Sequence, residues 1–107
     1  MKTTINEVIV SELKSLGLPI YYCHSNSYRS CFIFNYSSEQ TNFYNDKAHA
    51  IIYHIQLNFY YLNGVTEEML NLVNEIQKLD YNQRILTTTS NNEVYGVFMK
   101  DVTIDGD

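Results

Sequence analysis

The chain has few of the residues that break regular structure, with one proline and four glycines among 107 residues. Hydrophobic residues make up 45% and charged residues 18%, a balance that excludes the disordered and low-complexity classes. No apolar run approaches the roughly 20 residues of a membrane-spanning helix, and the first residues lack a secretory apolar core. We therefore expect a globular protein that is made and used in a cytoplasm, with no membrane partner.

Cysteine is also scarce. Cys23 and Cys31 are the only two, which is too few for a disulfide scaffold, and their spacing is not that of a zinc site. His49 and His54 are an odd number of residues apart, so a regular strand directs them to opposite faces and they cannot share a metal. The four glycines are isolated and form no phosphate-binding loop. We expect free thiols, no metal and no cofactor.

Positive charge is also scarce, because the chain has seven basic and twelve acidic residues and a net charge of -5. Proteins that bind nucleic acid tightly neutralise phosphates with clustered Lys and Arg, and here the basic residues are scattered. We expect no specific nucleic-acid partner. An acidic surface is nevertheless suited to letting DNA pass without holding it, because like charges remove the attraction.

Candidate catalytic groups are few and each has a simpler explanation. His24 lies beside Cys23, with Cys31 across a loop, but no orienting carboxylate or amide and no oxyanion loop accompany them. The adjacent Glu67 and Glu68 fall in the first turn of a predicted helix, where they interact favourably with its dipole. We therefore expect that the protein is not an enzyme.

The length favours one domain over residues 1–107. Thr4 and Glu7 have capping-box spacing, and apolar residues then recur at helical spacing over residues 5–16. Gly17 and Pro19 end this helix, because glycine adopts the left-handed conformation and proline cannot continue the hydrogen bonding.

Strands are predicted at 20–22 and 31–36, with a polar loop at 23–30 between them and a second polar connection over residues 37–47. The strongest strand pattern covers residues 48–62, where apolar side chains alternate with His54, Gln56, Asn58 and Tyr60. One face of this strand is predicted to be buried, and the other is suited to a partly wet surface or to a partner.

Thr66 is the predicted cap of a second helix over residues 67–79, and a terminal hairpin over 84–89 and 94–104 follows. Gly96 indicates a bulge or a close contact within the last strand. The order α-β-β-β-α-β-β predicts an α+β fold with a mostly antiparallel sheet and both helices packed on one face.

Ten tyrosines and no tryptophan are present. Tyrosine is frequent at protein interfaces, because its ring is apolar and its hydroxyl is polar, although strand propensity explains it as well. Together with the amphipathic strand, this predicts a subunit or tube interface that includes Tyr28, Tyr44, His54, Gln56, Asn58 and Tyr60.

The succession of elements resembles the tail terminator, or tail-completion, family of long-tailed bacteriophages over residues 4–104. The matching features are the opening helix over 5–16, the strand start Leu18-Pro19-Ile20-Tyr21, the Cys31-Phe32-Ile33-Phe34 strand and the long strand through residues 54–60. The helix over 67–79 and the closing strand over 94–99 complete the likeness. The family is similar in arrangement rather than in invariant residues, so no residue role is carried over.

The resemblance implies a ring, usually a homohexamer, that caps the tail tube, stops its polymerisation and offers the surface on which the head docks. Its partners would be other copies of itself, the tail tube protein and a head-tail connector protein, with DNA passing through the lumen. The ring would belong to the virion and assemble in the bacterial host cytoplasm. Another neck or connector protein and a small α+β binding module remain open as alternatives, with an enzyme third.

Overall fold

The computed structural model describes residues 4–24, 29–41 and 50–105, and within them it shows an α+β fold. The elements follow the predicted order: α1, three strands, α2 and two further strands. No helix in the described residues is long and apolar enough to cross a membrane.

Helix α1 spans Ile5–Leu13, and its last predicted turn is instead a short 3-10 helix, Lys14–Leu16. The Thr4 hydroxyl accepts a hydrogen bond from the Glu7 backbone N–H at 3.2 Å, as the capping-box spacing predicts. Gly17 ends the helical segment at φ 86°, and its N–H bonds the Lys14 carbonyl three residues back, which explains the tighter final turn.

Helix α2 spans Glu67–Lys78 and begins at the predicted cap. The Thr66 hydroxyl accepts from the Met69 backbone N–H at 3.1 Å, and two glutamates lie in the first turn. Met69, Val73 and Ile76, which are spaced three or four residues apart, are buried and form the apolar stripe of this helix.

The described residues form a five-stranded sheet in the order β1-β2-β3-β5-β4. The strands are β1 Ile20–Tyr22, β2 Cys31–Thr41, β3 Ala50–Tyr61, β4 Asn82–Thr88 and β5 Val94–Asp105. The β1–β2 pair is parallel, and the β2–β3, β3–β5 and β4–β5 pairs are antiparallel, so the predicted mostly antiparallel sheet is confirmed.

The prediction of a polar connection over residues 37–47 is wrong in its first part. Residues 37–41 continue β2 and pair with β3 without a break as far as Thr41 opposite Ala50. Their polar composition favours a loop, but backbone pairing with a long neighbouring strand overrides such local preferences. Residues 42–47 lie outside the described residues.

One face of the sheet carries the core. Phe32, Phe34, Ile55, Leu57, Phe59 and Phe98 are at most 2% exposed and form one cluster with the buried residues of both helices. Both helices therefore pack on this face, called here the helix face. Gly96 lies on it at a close contact, because an added Cβ would be 3.0 Å from the Phe98 ring and 3.2 Å from Leu86. The sheet irregularity lies in β4, between Gln83 and Ile85.

Lys100 is the charged side chain on the helix-face positions of β5. Its Nζ donates to Glu12 Oε2 of α1 at 2.7 Å and to the Leu79 carbonyl at 2.8 Å, and it lies 4.7 Å from the centre of the Tyr81 ring. Burial and the negative charge of Glu12 both raise the pKa of Tyr81. Lys100 thus connects α1 and the end of α2 to the sheet.

The far ends of the three long strands are less buried than the rest of these strands, since none of residues 37–40, 51–54 and 101–104 is fully buried. The molecule measures 54 × 25 × 23 Å, and its radius of gyration of 15.6 Å exceeds the roughly 13 Å of a compact domain of this length. We call residues 37–41, 50–54 and 101–105 the arm, and the helix-covered remainder of the sheet the body. In the arm, His54 pairs with Ser37 and Asp101 at the base, and Ala50 pairs with Thr41 and Asp105 at the tip.

Candidate interaction surface

His54, Gln56, Asn58 and Tyr60 lie on the face of β3 opposite the helices, because Ile55, Leu57 and Phe59 between them are fully buried. We call this the open face. Each of the four residues is half-buried there. The structure thus places them on one surface, as the alternation predicts, and their role in a subunit contact stays a prediction. Tyr28 and Tyr44, the other predicted interface residues, lie outside the described residues, as does His49.

At the base of the arm, His54 lies between two carboxylates on the neighbouring strands. Its Nδ1 is 2.8 Å from Asp101 Oδ1 on β5, and its Nε2 is 3.1 Å from Glu39 Oε1 on β2. A carboxylate only accepts hydrogen bonds, so both contacts are satisfied together only when both ring nitrogens carry a proton. The three side chains, called here the clasp, therefore fit the imidazolium form of His54.

The clasp changes the proton affinity of His54. Hydrogen bonding to Asp101 and then to Glu39 raises the pKa of His54 above its ordinary value of 6.5, and burial opposes this shift. The side chain is 37% exposed and the carboxylates 60% and 68%, so solvent weakens the interaction. The clasp is a pH-responsive connection across three strands at a solvated surface.

The centre of the open face is a mixed amide and apolar surface. Gln56 Nε2 donates to Asn58 Oδ1 at 3.2 Å along the strand. Asn58 pairs with Ile33 on one side and with Val97 on the other. Val97 is 8% exposed, although it lies on the face opposite the two described helices. Such a surface suits contact with another protein better than full exposure to water.

Tyr60 lies at the body end of the open face, in register with Cys31 and with Tyr95. The Tyr60 and Tyr95 rings are 5.0 Å apart at 39°, and they line a shallow hollow of about 430 Å³ beside the β4–β5 turn. Burial raises the pKa values of Tyr60 and of the Cys31 thiol. A raised thiol pKa is the opposite of the shift that activates a cysteine nucleophile.

Cys23 and Cys31 are both free, and the former is exposed while the latter is buried. The prediction of free thiols is therefore confirmed, although only Cys31 behaves as a buried small residue. Among residues 4–24, 29–41 and 50–105, no group of three or more His, Cys, Asp and Glu side chains is arranged to hold a metal ion.

The feature that the sequence patterns missed is the outer edge of β2, called free here because no strand of the described residues pairs with it beyond Phe34. The β1 pairing covers only Phe32 to Phe34, where Phe32 N–H bonds the Pro19 carbonyl and the Phe34 carbonyl accepts from Cys23 N–H. Backbone groups alternate in direction along a strand, so those of Tyr36, Ser38 and Gln40 also point outward. No described strand pairs with them.

The outer edge of β5 is free as well. The β4 pairing ends at Met99, opposite Asn82, and leaves residues 100–105 with no strand on that side in the described part of the chain. A polar hollow of about 510 Å³ lies where β4 begins, and its lining includes His54, Arg84 and Asp101. Among the residues that the structure describes, the arm therefore has an unpaired edge on each side, separated by β3.

These edges have little of the protection that keeps sheet edges from pairing with other chains, such as lysine, proline and bulges. Residues 35–41 contain no proline, no lysine and one charged side chain, Glu39, which is held by His54. On β5, Lys100 is held on the helix face and Asp101 is held by His54, and the third charged residue, Asp105, is the last residue of the strand. The pairing of β2 with β3 contains no bulge.

No protein-family model matches the chain, and no curated protein matches it significantly.

Proposed function

We propose that this chain is a structural subunit that joins copies of itself into a ring, usually of six, and that the ring caps the tail tube of a long-tailed bacteriophage. The ring ends polymerisation of the tube and provides the surface on which the head docks through its connector protein. The observation that carries the assembly role is the arm with two free, weakly protected edges.

The two edges belong to different strands, β2 and β5, and a contact between unlike edges favours a ring over a two-fold dimer. β2 and β5 run in the same direction, since both are antiparallel to β3. If the β5 edge of one copy meets the β2 edge of the next, the contact is heterologous and repeats around a rotation axis until the ring closes. A rotation axis roughly parallel to the strands keeps the two edges parallel to each other. The two edge segments that would meet, residues 35–41 and 100–105, are similar in length.

The phage assignment rests on the resemblance in the order of elements, and the architecture is compatible with it. The net charge of -5 also fits a lumen through which DNA passes without being held. In this proposal the ring works by shape and contact, in the virion, after assembly in the host cytoplasm.

Ser38→Pro tests the edge. Ser38 is exposed, and its N–H points away from β3, so proline removes an outward donor while the ladder with β3 remains. Ser38→Ala, which retains the N–H, is the matched control. We expect the self-association constant, measured by sedimentation velocity, to fall by at least about tenfold in Ser38→Pro and to stay unchanged in Ser38→Ala.

The tube-capping role requires a second measurement, in which the tail tube protein of the same phage polymerises with and without this chain. Wild-type protein and Ser38→Ala are expected to shorten the tubes seen by electron microscopy, and Ser38→Pro is not. Equal association of both variants would contradict the edge contact. Tubes of unchanged length with a wild-type chain that does form rings would contradict the terminator role and favour another neck component.

A further inference from the structure

The clasp lies at the same edges that the proposed function uses, and it holds one charged side chain from each. Glu39 belongs to β2 and Asp101 to β5, the two outer strands of the arm, while His54 lies on β3 between them. Both carboxylates bond the central ring, at 3.1 and 2.8 Å, and are thereby drawn over the open face toward the middle of the sheet.

We infer that the clasp is a proton-controlled latch on self-association, in which the imidazolium of His54 holds Glu39 and Asp101 and so permits edge pairing between copies. This inference rests on the proposed edge contact and adds its regulation.

The latch depends on the number of protons on the His54 ring, which sets the net charge of the clasp. Imidazolium donates to both carboxylates and leaves the clasp with one net negative charge. Neutral imidazole donates from one nitrogen only, so one carboxylate loses its hydrogen bond and the clasp carries two negative charges. At a parallel seam of a continuous sheet, Asp101 of one copy and Glu39 of the next lie on adjacent strands and on the same face. Uncompensated like charges on paired strands are destabilising.

Ionisable groups lie near His54 on each neighbouring element. On β2 and β5 the facing groups are Glu39 and Asp101, while Lys100 of β5 is held on the helix face. Asp80 and Arg84 line the same hollow as His54 from the side of β4. The shift of the His54 pKa is nevertheless caused by Asp101 and Glu39. Within the described residues, these two carboxylates therefore control the protonation of His54.

The test is sedimentation velocity between about pH 5.5 and pH 9 at fixed ionic strength, a range that brackets histidine titration. For the wild type we expect the association constant to fall by about threefold per seam as pH rises through the pKa of His54. His54→Gln, which cannot become cationic, should associate weakly at every pH. Glu39→Gln/Asp101→Asn should associate at every pH, because the repelling charges are absent.

His24→Gln is the matched control, since His24 is exposed and lies outside the arm. It should keep the wild-type pH dependence. Association of the wild type and His54→Gln with the same pH profile would overturn the latch and leave the edge contact standing. Absence of association in every variant at every pH would instead overturn the proposed edge contact, and the latch with it.

Discussion

The body and the arm consist of the same three strands, yet they are stabilised differently. In the body, the helix-face side chains of β3, such as Leu57 and Phe59, are fully buried beneath two helices. In the arm, Ala50 is buried, while Ile51, Ile52, Tyr53 and His54 are only half-buried. In the arm the strands keep their backbone pairing, while their apolar side chains are more exposed than those of the body. The arm is therefore the part of the sheet from which a second chain can gain stability.

The largest expected effect on stability distinguishes a buried side chain of the body from a half-buried side chain of the arm. Phe59→Ala removes a fully buried ring from the body and is expected to cost about 3–5 kcal/mol of unfolding free energy. Ile52→Ala in the arm is expected to cost about 1 kcal/mol, because its side chain is only half-buried. Guanidinium denaturation measures both, with Phe59→Leu as a milder body variant if Phe59→Ala does not fold. Equal costs would mean that the arm is packed as well as the body.

Lys100→Met should have the next largest effect. It leaves the Glu12 carboxylate, 26% exposed, and the Leu79 carbonyl without their cation, at an expected cost of about 2 kcal/mol. Lys78→Met is the matched control, because Lys78 and Glu75 form an ion pair in which both side chains are largely exposed, and we expect a change within about 0.5 kcal/mol. Urea denaturation distinguishes the two cases. A small effect at Lys100 would show that water replaces the cation in holding the helices to the body.

The smallest effect is expected at the clasp and depends on pH. Because the pKa of His54 is raised above 6.5 in the folded chain, the stability it contributes is fully present below about pH 6.5 and is lost as pH rises through the folded value. The difference in melting temperature between wild type and His54→Gln should therefore narrow with rising pH. Titration of the His54 ring by NMR gives the pKa directly, and a value at or below 6.5 would show that the carboxylates do not hold the ring in solution.

Part of the fold could be predicted from local sequence patterns. The caps at Thr4 and Thr66 and the buried stripe of α2 depend on neighbours three or four residues apart, so they were predictable. The shared face of His54, Gln56, Asn58 and Tyr60 follows from two-residue alternation in the same way. The end of β2 was not predictable, because residues 37–41 are polar and become strand only through pairing with β3.

The candidate site was predictable to a similar extent. The sequence indicated the open face of β3 but could not indicate that Glu39 and Asp101 flank His54, since these residues are 15 and 47 positions away from it. The unpaired edges could not be predicted from local patterns either, because they depend on which parts of neighbouring strands pair with each other. Alternation within β5 places Lys100 on the same face as Phe98, but its partners Glu12 and Leu79 lie on other elements, so no pattern within the strand relates them.

By itself, the sequence determined the order of helices and strands, the α+β class and which face of each main element is apolar, because these follow from caps and periodicity within a few residues. The tertiary structure alone decided the strand order β1-β2-β3-β5-β4, the elongated shape of the molecule and the clasp that joins the three strands of the arm. The physical reason is that register and edge exposure arise from pairing between distant segments, and pairing brings together groups that no local pattern relates.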